Sequence, residues 1–258
     1  MIVYIDLNQM PSLLLVLRAL AALLARTDGR DKLAKFLQNY CRYRKHYARA
    51  GGASFVKFKR LQGSLSEFRS LLKFGKPIKN AIEVHEIITM DRFGGGGGGD
   101  IGGLQPLDCL RLASLVSDIG YKLGDNVEYL SHYKLLRFDE RRCESWSKTF
   151  QFFAYLADVV VGWVELRAVE KKRKQYAESE GGEGAFERKR RAMRVGYLGD
   201  CADFLRVAPG FLAMYGLLGF KKKHDGFSGV MGLIVGATGV WKVWNKVVCD
   251  ILIHDDNA

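Results

Sequence analysis

Proline is nearly missing from this chain, with four in 258 residues. Cysteine is almost as sparse. Cys41, Cys109, Cys143, Cys201 and Cys249 stand far apart and form no C-x-x-C pair. That spacing does not suggest a metal site, and it suits a reducing compartment. Alternating apolar and polar runs are scarce, whereas 3.6-residue patterns are long. The expected fold class is therefore all-α, with N-terminal amphipathic helices followed by C-terminal membrane-spanning helices. Catalytic motifs are lacking too. His85-Glu86 opens an H-E-x-x-H frame, but Thr89 stands where the second histidine belongs. There is no G-x-S-x-G, no dinucleotide-binding glycine pattern, and no nucleophile beside a paired His and Asp. The sequence gives no grounds for catalytic residues, a metal or a cofactor, and the reading is of a protein that is not an enzyme.

Acidic residues are short in one region only. Residues 1–90 hold 16 Lys/Arg against 6 Asp/Glu, while the rest of the chain holds 24 against 22, for a formal net charge of +12. A basic region joined to a nearly neutral, greasier one fits a polyanionic partner, either nucleic acid or anionic lipid headgroups. Leu13–Ala25 has the look of a signal-peptide core, but Arg18 interrupts it and Asp6 sits where a positive n-region belongs. It reads as a buried or interfacial helix.

Glycine, by contrast, is concentrated. Gly94–Gly99 is an unbroken run followed by Gly102 and Gly103, and a phosphate-cradling loop is excluded because Asp100-Ile101 follows where Lys-Ser/Thr is needed. A second, charge-dense stretch spans Glu165–Arg194. Both read as connectors. The expected organisation is a basic amphipathic-helical region over 1–90, a Gly-rich linker over 91–106, and a helical region with a membrane segment over 107–166. A charged linker over 167–194 and a C-terminal membrane region over 195–258 complete it.

Three segments carry the functional reading. In TDGRDKLAKFLQNYCRYRKHY (27–47), Asp28 is the expected N-cap, with Asp31 in the first turn where the helix dipole favours it. Leu33, Phe36, Leu37, Tyr40 and Tyr47 share one face; Lys32, Lys35, Arg42, Lys45 and Arg49 fill the opposite one. In FVKFKRLQGSLSEFRSLLKF (55–74), Phe58, Leu61, Leu65, Phe68 and Leu72 form an apolar stripe beside Lys59, Arg60 and Lys73, and Gly75 and Pro77 end the helix. Helices of this type lie in a membrane interface, the stripe in the acyl boundary and the cations against anionic headgroups, or they pack in a small bundle. The third segment, FSGVMGLIVGATGVWKVW (227–244), has no charge before Lys242. It is about 27 Å long at 1.5 Å per residue, close to the hydrocarbon thickness. Gly229, Gly232, Gly236 and Gly239 lie along it as a helix–helix association stripe, and Trp241 and Trp244 suit a headgroup belt. Val207–Phe220 and Phe150–Leu166 are further greasy stretches, the latter holding Asp158.

The blocks TDGRDKLAKFLQNY, LKFGKPIKNA, SDIGYKLGDNVEYLSHYKLL, DFLRVAPG and GFSGVMGLIVGATGVWKVW together resemble, in this order, the peroxin-eleven family of peroxisomal membrane proteins. The resemblance covers roughly residues 27–245 and is most specific at Thr27–Leu33 with Gln38-Asn39-Tyr40. It implies a protein that elongates and proliferates peroxisomes by inserting amphipathic helices into the cytosolic leaflet. Its implied partners are an anionic phospholipid membrane, further copies of itself and a dynamin-type fission GTPase. The six-glycine run and the charged connector are not hallmarks of that family; in a lineage with specialised peroxisomes the corresponding site is the glycosomal membrane. The alternative is a membrane pore for small metabolites, lined by Asp158, Asp200 and Asp203. A nucleic-acid binder is disfavoured, because no recognition motif is present and a hydrophobic hairpin has no use there.

Overall fold

The computed structural model describes residues 13–93, 106–171, 182–216 and 225–255. Among them are eight helices and no strand: α1 (Leu13–Ala25), α2 (Thr27–Tyr47), α3 (Ala53–Lys73), α4 (Lys76–Phe93), α5 (Pro106–His132), α6 (Glu140–Lys171), α7 (Gly182–Met214) and α8 (Asp225–Asp255). The all-α expectation holds. The glycine run at 94–99 lies outside the described residues. The stretch expected as a charged connector over 167–194 is helical at both ends, since α6 runs to Lys171 and α7 begins at Gly182.

Two boundaries show how local sequence sets the elements. Helix α2 starts at Thr27, so Asp28 sits inside the first turn and is not the cap; Arg26 holds the N-cap position with no side-chain cap hydrogen bond. The reason is the neighbouring helix. Only Arg26 separates α1 from α2, and Gly29 tucks against the Leu23 carbonyl so closely that a Cβ there has no room. At the other boundary α3 gives way to α4 around Gly75, and Pro77 falls in the first turn of α4, where its missing N–H costs nothing.

The helices form a closed circuit. α2 lies on α8, α8 on α7, α7 on α6 and α6 on α5; α4, and more lightly α3, lie on α5, and α3 returns to α2. Neighbours along the circuit run antiparallel. Between α5 and α6, Gly120 faces the Phe150 ring and Gly124 faces Ser147. Between α6 and α7, Phe152 stacks on Phe211 with centroids 4.0 Å apart. Between α7 and α8, Gly199 faces Thr238 and Gly196 faces Lys242. Helix α1 closes one end, burying Ala19 against Val247 and Val248 of α8.

The α2–α8 seam is the tightest of these. A Cβ built at Gly236 would stand 2.6 Å from Phe36 Cα, one at Gly229 3.0 Å from Tyr43 Cα, and one at Gly239 2.9 Å from Lys32 Cδ; Gly232 abuts the Asn39 amide. The glycine stripe therefore joins two helices of one chain, its steps of three and four matched by steps of three and four along α2. Close backbone approach of this kind is what small residues permit.

Candidate membrane-facing site

Several charged side chains are buried in this bundle, where they pair between helices. Across the circuit, Lys35 of α2 reaches Asp203 of α7 at 2.8 Å, and Arg206 joins the same carboxylate at 3.0 Å. Lys35 is 6 % exposed. Burial lowers the Lys35 ammonium, against the pull of Asp203, to about 7. Burial would raise the Asp203 carboxyl, but Lys35 and Arg206 outweigh it and bring it down to about 2. Asp31 of α2 takes Arg69 of α3 at 3.0 Å and Lys76 of α4 at 2.6 Å, and Arg69 also donates to Gln38. Burial alone would raise the Asp31 carboxyl; those two cations hold it far below the usual carboxylate range. Lys73 pairs with Asp125 of α5 at 2.9 Å and donates to the Tyr121 hydroxyl. Asn80 donates to Asp118 at 2.7 Å. Through these links α3 and α4 are clamped to α2 and α5 by their polar sides.

The outward side of α3 and α4 carries exposed apolar side chains among exposed charged ones. Leu61 is 51 % exposed, Phe68 42 % and Ile78 66 %, and Leu71, Phe74, Ile82 and Ile88 are exposed with them. Exposed Lys57, Lys59, Arg60 and Glu67 stand among these side chains, and an exposed apolar patch with a polar rim marks an interaction surface. On α6, Trp146, Phe150, Phe153, Leu156, Val160 and Val164 recur at intervals of three and four and are likewise exposed.

The expected insertion stripe divides between two environments. Leu61 and Phe68 face outward; Phe58, Leu65 and Leu72 are half-buried. Phe58 makes an edge contact with Tyr40 of α2 and lies beneath the Arg44 guanidinium. The outward surface continues through Leu71, Phe74, Ile78 and Ile82, which the α3 pattern alone did not reach. The signal was present: spacings of three and four carry on past Gly75 into α4.

The cations expected against headgroups also divide. Lys59 and Arg60 are exposed. Lys35 and Lys73 are buried and paired with half-buried Asp203 and Asp125. Lys32 lies half-buried along Gly239, and Arg42 and Lys45 are half-buried. In α2 the two sides of the wheel reading are mixed: Leu33 and Phe36 of the apolar side are half-buried and Arg49 of the basic side is exposed. Asp31, Ala34, Lys35, Asn39 and Cys41 are buried, while Leu37, Tyr40 and Tyr47 are exposed.

The acids weighed as a pore lining are largely engaged. Asp203 is shared by Lys35 and Arg206, and Asp158 accepts a hydrogen bond from the Ser114 hydroxyl of α5. Among the described residues, no group of His, Cys, Asp and Glu could hold a metal ion. One helix there, over Gly226–Ile251 of α8, is long and apolar enough to cross a membrane. Val207–Phe220 and Phe150–Leu166 do not yield such helices among the described residues.

A family model, Peroxisomal biogenesis factor 11 (PEX11), matches residues 17–244 of this chain. No curated protein and no solved structure gives a match. The matched stretch takes in the α2–α8 seam, the outward face of α3 and α4, and most of the candidate span. The chain belongs to the PEX11 family. Its role lies in peroxisomal membrane proliferation, in a family of biogenesis factors and not of enzymes.

Proposed function

We propose that this PEX11-family chain remodels and elongates the peroxisomal membrane by seating the outward face of α3 and α4 in one leaflet. The reading rests on one observation above the rest: α3 is bound to its neighbours by Arg69 and Lys73 and leaves Leu61, Phe68 and Leu71 uncovered. Burying those three together with Phe74 and Ile78 stabilises the seated state by several kcal/mol at about 25 cal/mol per Å². Exposed Lys59 and Arg60 add headgroup attraction on the order of 1 kcal/mol each near an anionic surface. Bulky side chains entering one leaflet widen it relative to the other and favour a tubule over a sheet. In this account α8 anchors the chain, and α2 is tied to the anchor by the glycine seam. Self-association and recruitment of a dynamin-type GTPase would convert elongation into fission. The N-terminal region faces the cytosol, and in a lineage with glycosomes the same work falls on the glycosomal membrane.

The second reading, a metabolite pore, draws on the polar interior of the helix circuit. Asp203, bound by both Lys35 and Arg206, closes that interior with ion pairs, which is why deformation is preferred. Full-length protein reconstituted into vesicles rich in anionic phospholipid separates the two. Deformation predicts tubules without leakage of a trapped solute, and loss of tubules with Leu61→Glu plus Phe68→Glu. Solute release from spherical vesicles would favour the pore and sink the proposal.

A further inference from the structure

Between α6, α7 and α8 lies a cleft of about 770 Å³, within the usual range for a small-molecule site. Its apolar wall is built from Met193, Tyr197 and Trp241. Three ammonium groups open onto it, from Lys189 of α7 and from Lys242 and Lys246 of α8. The acids of the same wall are mostly committed elsewhere. Glu165 is held by Arg111 at 2.6 Å, and Asp250 by Arg26 at 2.6 Å. Asp200 is the one carboxylate of the wall not tied to an arginine, and Lys242 is the cation that acts on it most strongly. All three lysines are exposed, and none of them makes an ion pair with a described residue. With one such acid, which Lys242 faces, against three such lysines, the described residues leave the cleft a positive surplus.

The position adds a second constraint. Lys242 and Lys246 stand near the C-terminal end of the candidate span Gly226–Ile251, beside Trp241 and Trp244. Lysines and tryptophans at the end of an apolar helix lie at headgroup level, and basic clefts between helices at that level bind anionic headgroups. We propose that this cleft holds one anionic phospholipid from the adjoining leaflet. Its phosphate sits among Lys189, Lys242 and Lys246, and the first acyl carbons lie against Met193, Tyr197 and Trp241. Gly196 lets this arrangement form: a Cβ there would stand 3.2 Å from Lys242 Nζ, so the lysine folds across the glycine to reach the cleft. The site is separate from the outward face of α3, so it can fail while the proposed function stands.

Native mass spectrometry of the full chain in a neutral detergent tests it, with dihexanoyl phosphatidylglycerol as probe. The expected result is one saturable adduct, at least tenfold tighter than that of dihexanoyl phosphatidylcholine. Lys242→Ala with Lys246→Ala should weaken it tenfold or more, and Lys242→Arg with Lys246→Arg should retain it. Lys59→Ala with Arg60→Ala should leave it unchanged. Equal binding of the neutral lipid, or unchanged binding by the double-alanine variant, would overturn the assignment. Competition by inorganic phosphate at the same concentration as the lipid would show that the cleft takes a free anion and would equally overturn it.

Discussion

Replacing Gly236 by leucine drives a side chain into the backbone of α2. The first added carbon alone would lie 2.6 Å from Phe36 Cα. Carbon–carbon contacts settle near 3.5–4.0 Å, so the two helices must part by about 1 Å before the rest of the leucine is placed. Parting them also disturbs the seam at Gly229, Gly232 and Gly239, which rests on the same close approach. Overpacking of this kind costs about 1–3 kcal/mol. For a chain of this size each kcal/mol lowers the melting temperature by about 2–4 °C, so a drop of roughly 2–12 °C is expected. Thermal unfolding in detergent measures it, and hydrogen exchange should show faster opening of the 28–47 amides. Gly63→Ala is the control, since a Cβ there meets nothing within 4 Å. In mid-helix that change should raise stability by about 0.5–1 kcal/mol. If Gly236→Leu melted like the unaltered chain, with α2 protected as before, the seam would not hold these helices together.

Asp203→Ala strands the Lys35 and Arg206 cations inside the bundle, and the loss should be roughly 3–5 kcal/mol, read as a lower melting temperature in detergent. Acid should act on the same carboxylate. Its pKa falls from 3.8 in the unfolded chain to about 2 in the fold, so its contribution is present above pH 3.8 and is lost as pH drops toward 2. That contribution is about 2 kcal/mol and should vanish from the pH profile of Asp203→Asn. Arg69→Ala leaves Asp31 with Lys76 and breaks the α2–α3 clamp, so proteolysis within 53–73 should speed up while α8 stays protected.

Much of the architecture was legible in the sequence, because scarce proline and 3.6-residue periodicity fix helices whatever solvent surrounds them. The same holds for the close-contact role of Gly232 and Gly236, since small residues at that spacing mean a tight neighbour. The identity of that neighbour was not legible, because Asn39 and Phe36 lie nearly two hundred residues away along the chain. Which side of each helix faces inward was also hidden. A wheel drawn for water puts Leu37 and Tyr40 inside; here Asp31, Lys35 and Asn39 take that place. Their reasons for burial are partners remote in sequence, 168 residues from Lys35 to Asp203 and 52 from Lys73 to Asp125. Charge counted along one helix cannot show that another helix supplies the counter-charge.

The central claim is that the outward face of α3 and α4 lies in lipid. The direct measurement is the depth of an environment-sensitive fluorophore placed by cysteine at Leu61, Phe68 and Ile78 in turn. The full chain is reconstituted in anionic vesicles, with Cys109, Cys143 and Cys201 replaced so that the label goes to one site. Brominated acyl chains should quench all three labels strongly and aqueous iodide weakly, whereas a label at Lys59 should respond to iodide. Labels at Leu61 and Phe68 that iodide quenches as readily as the one at Lys59, and that brominated lipid leaves bright, would contradict the account.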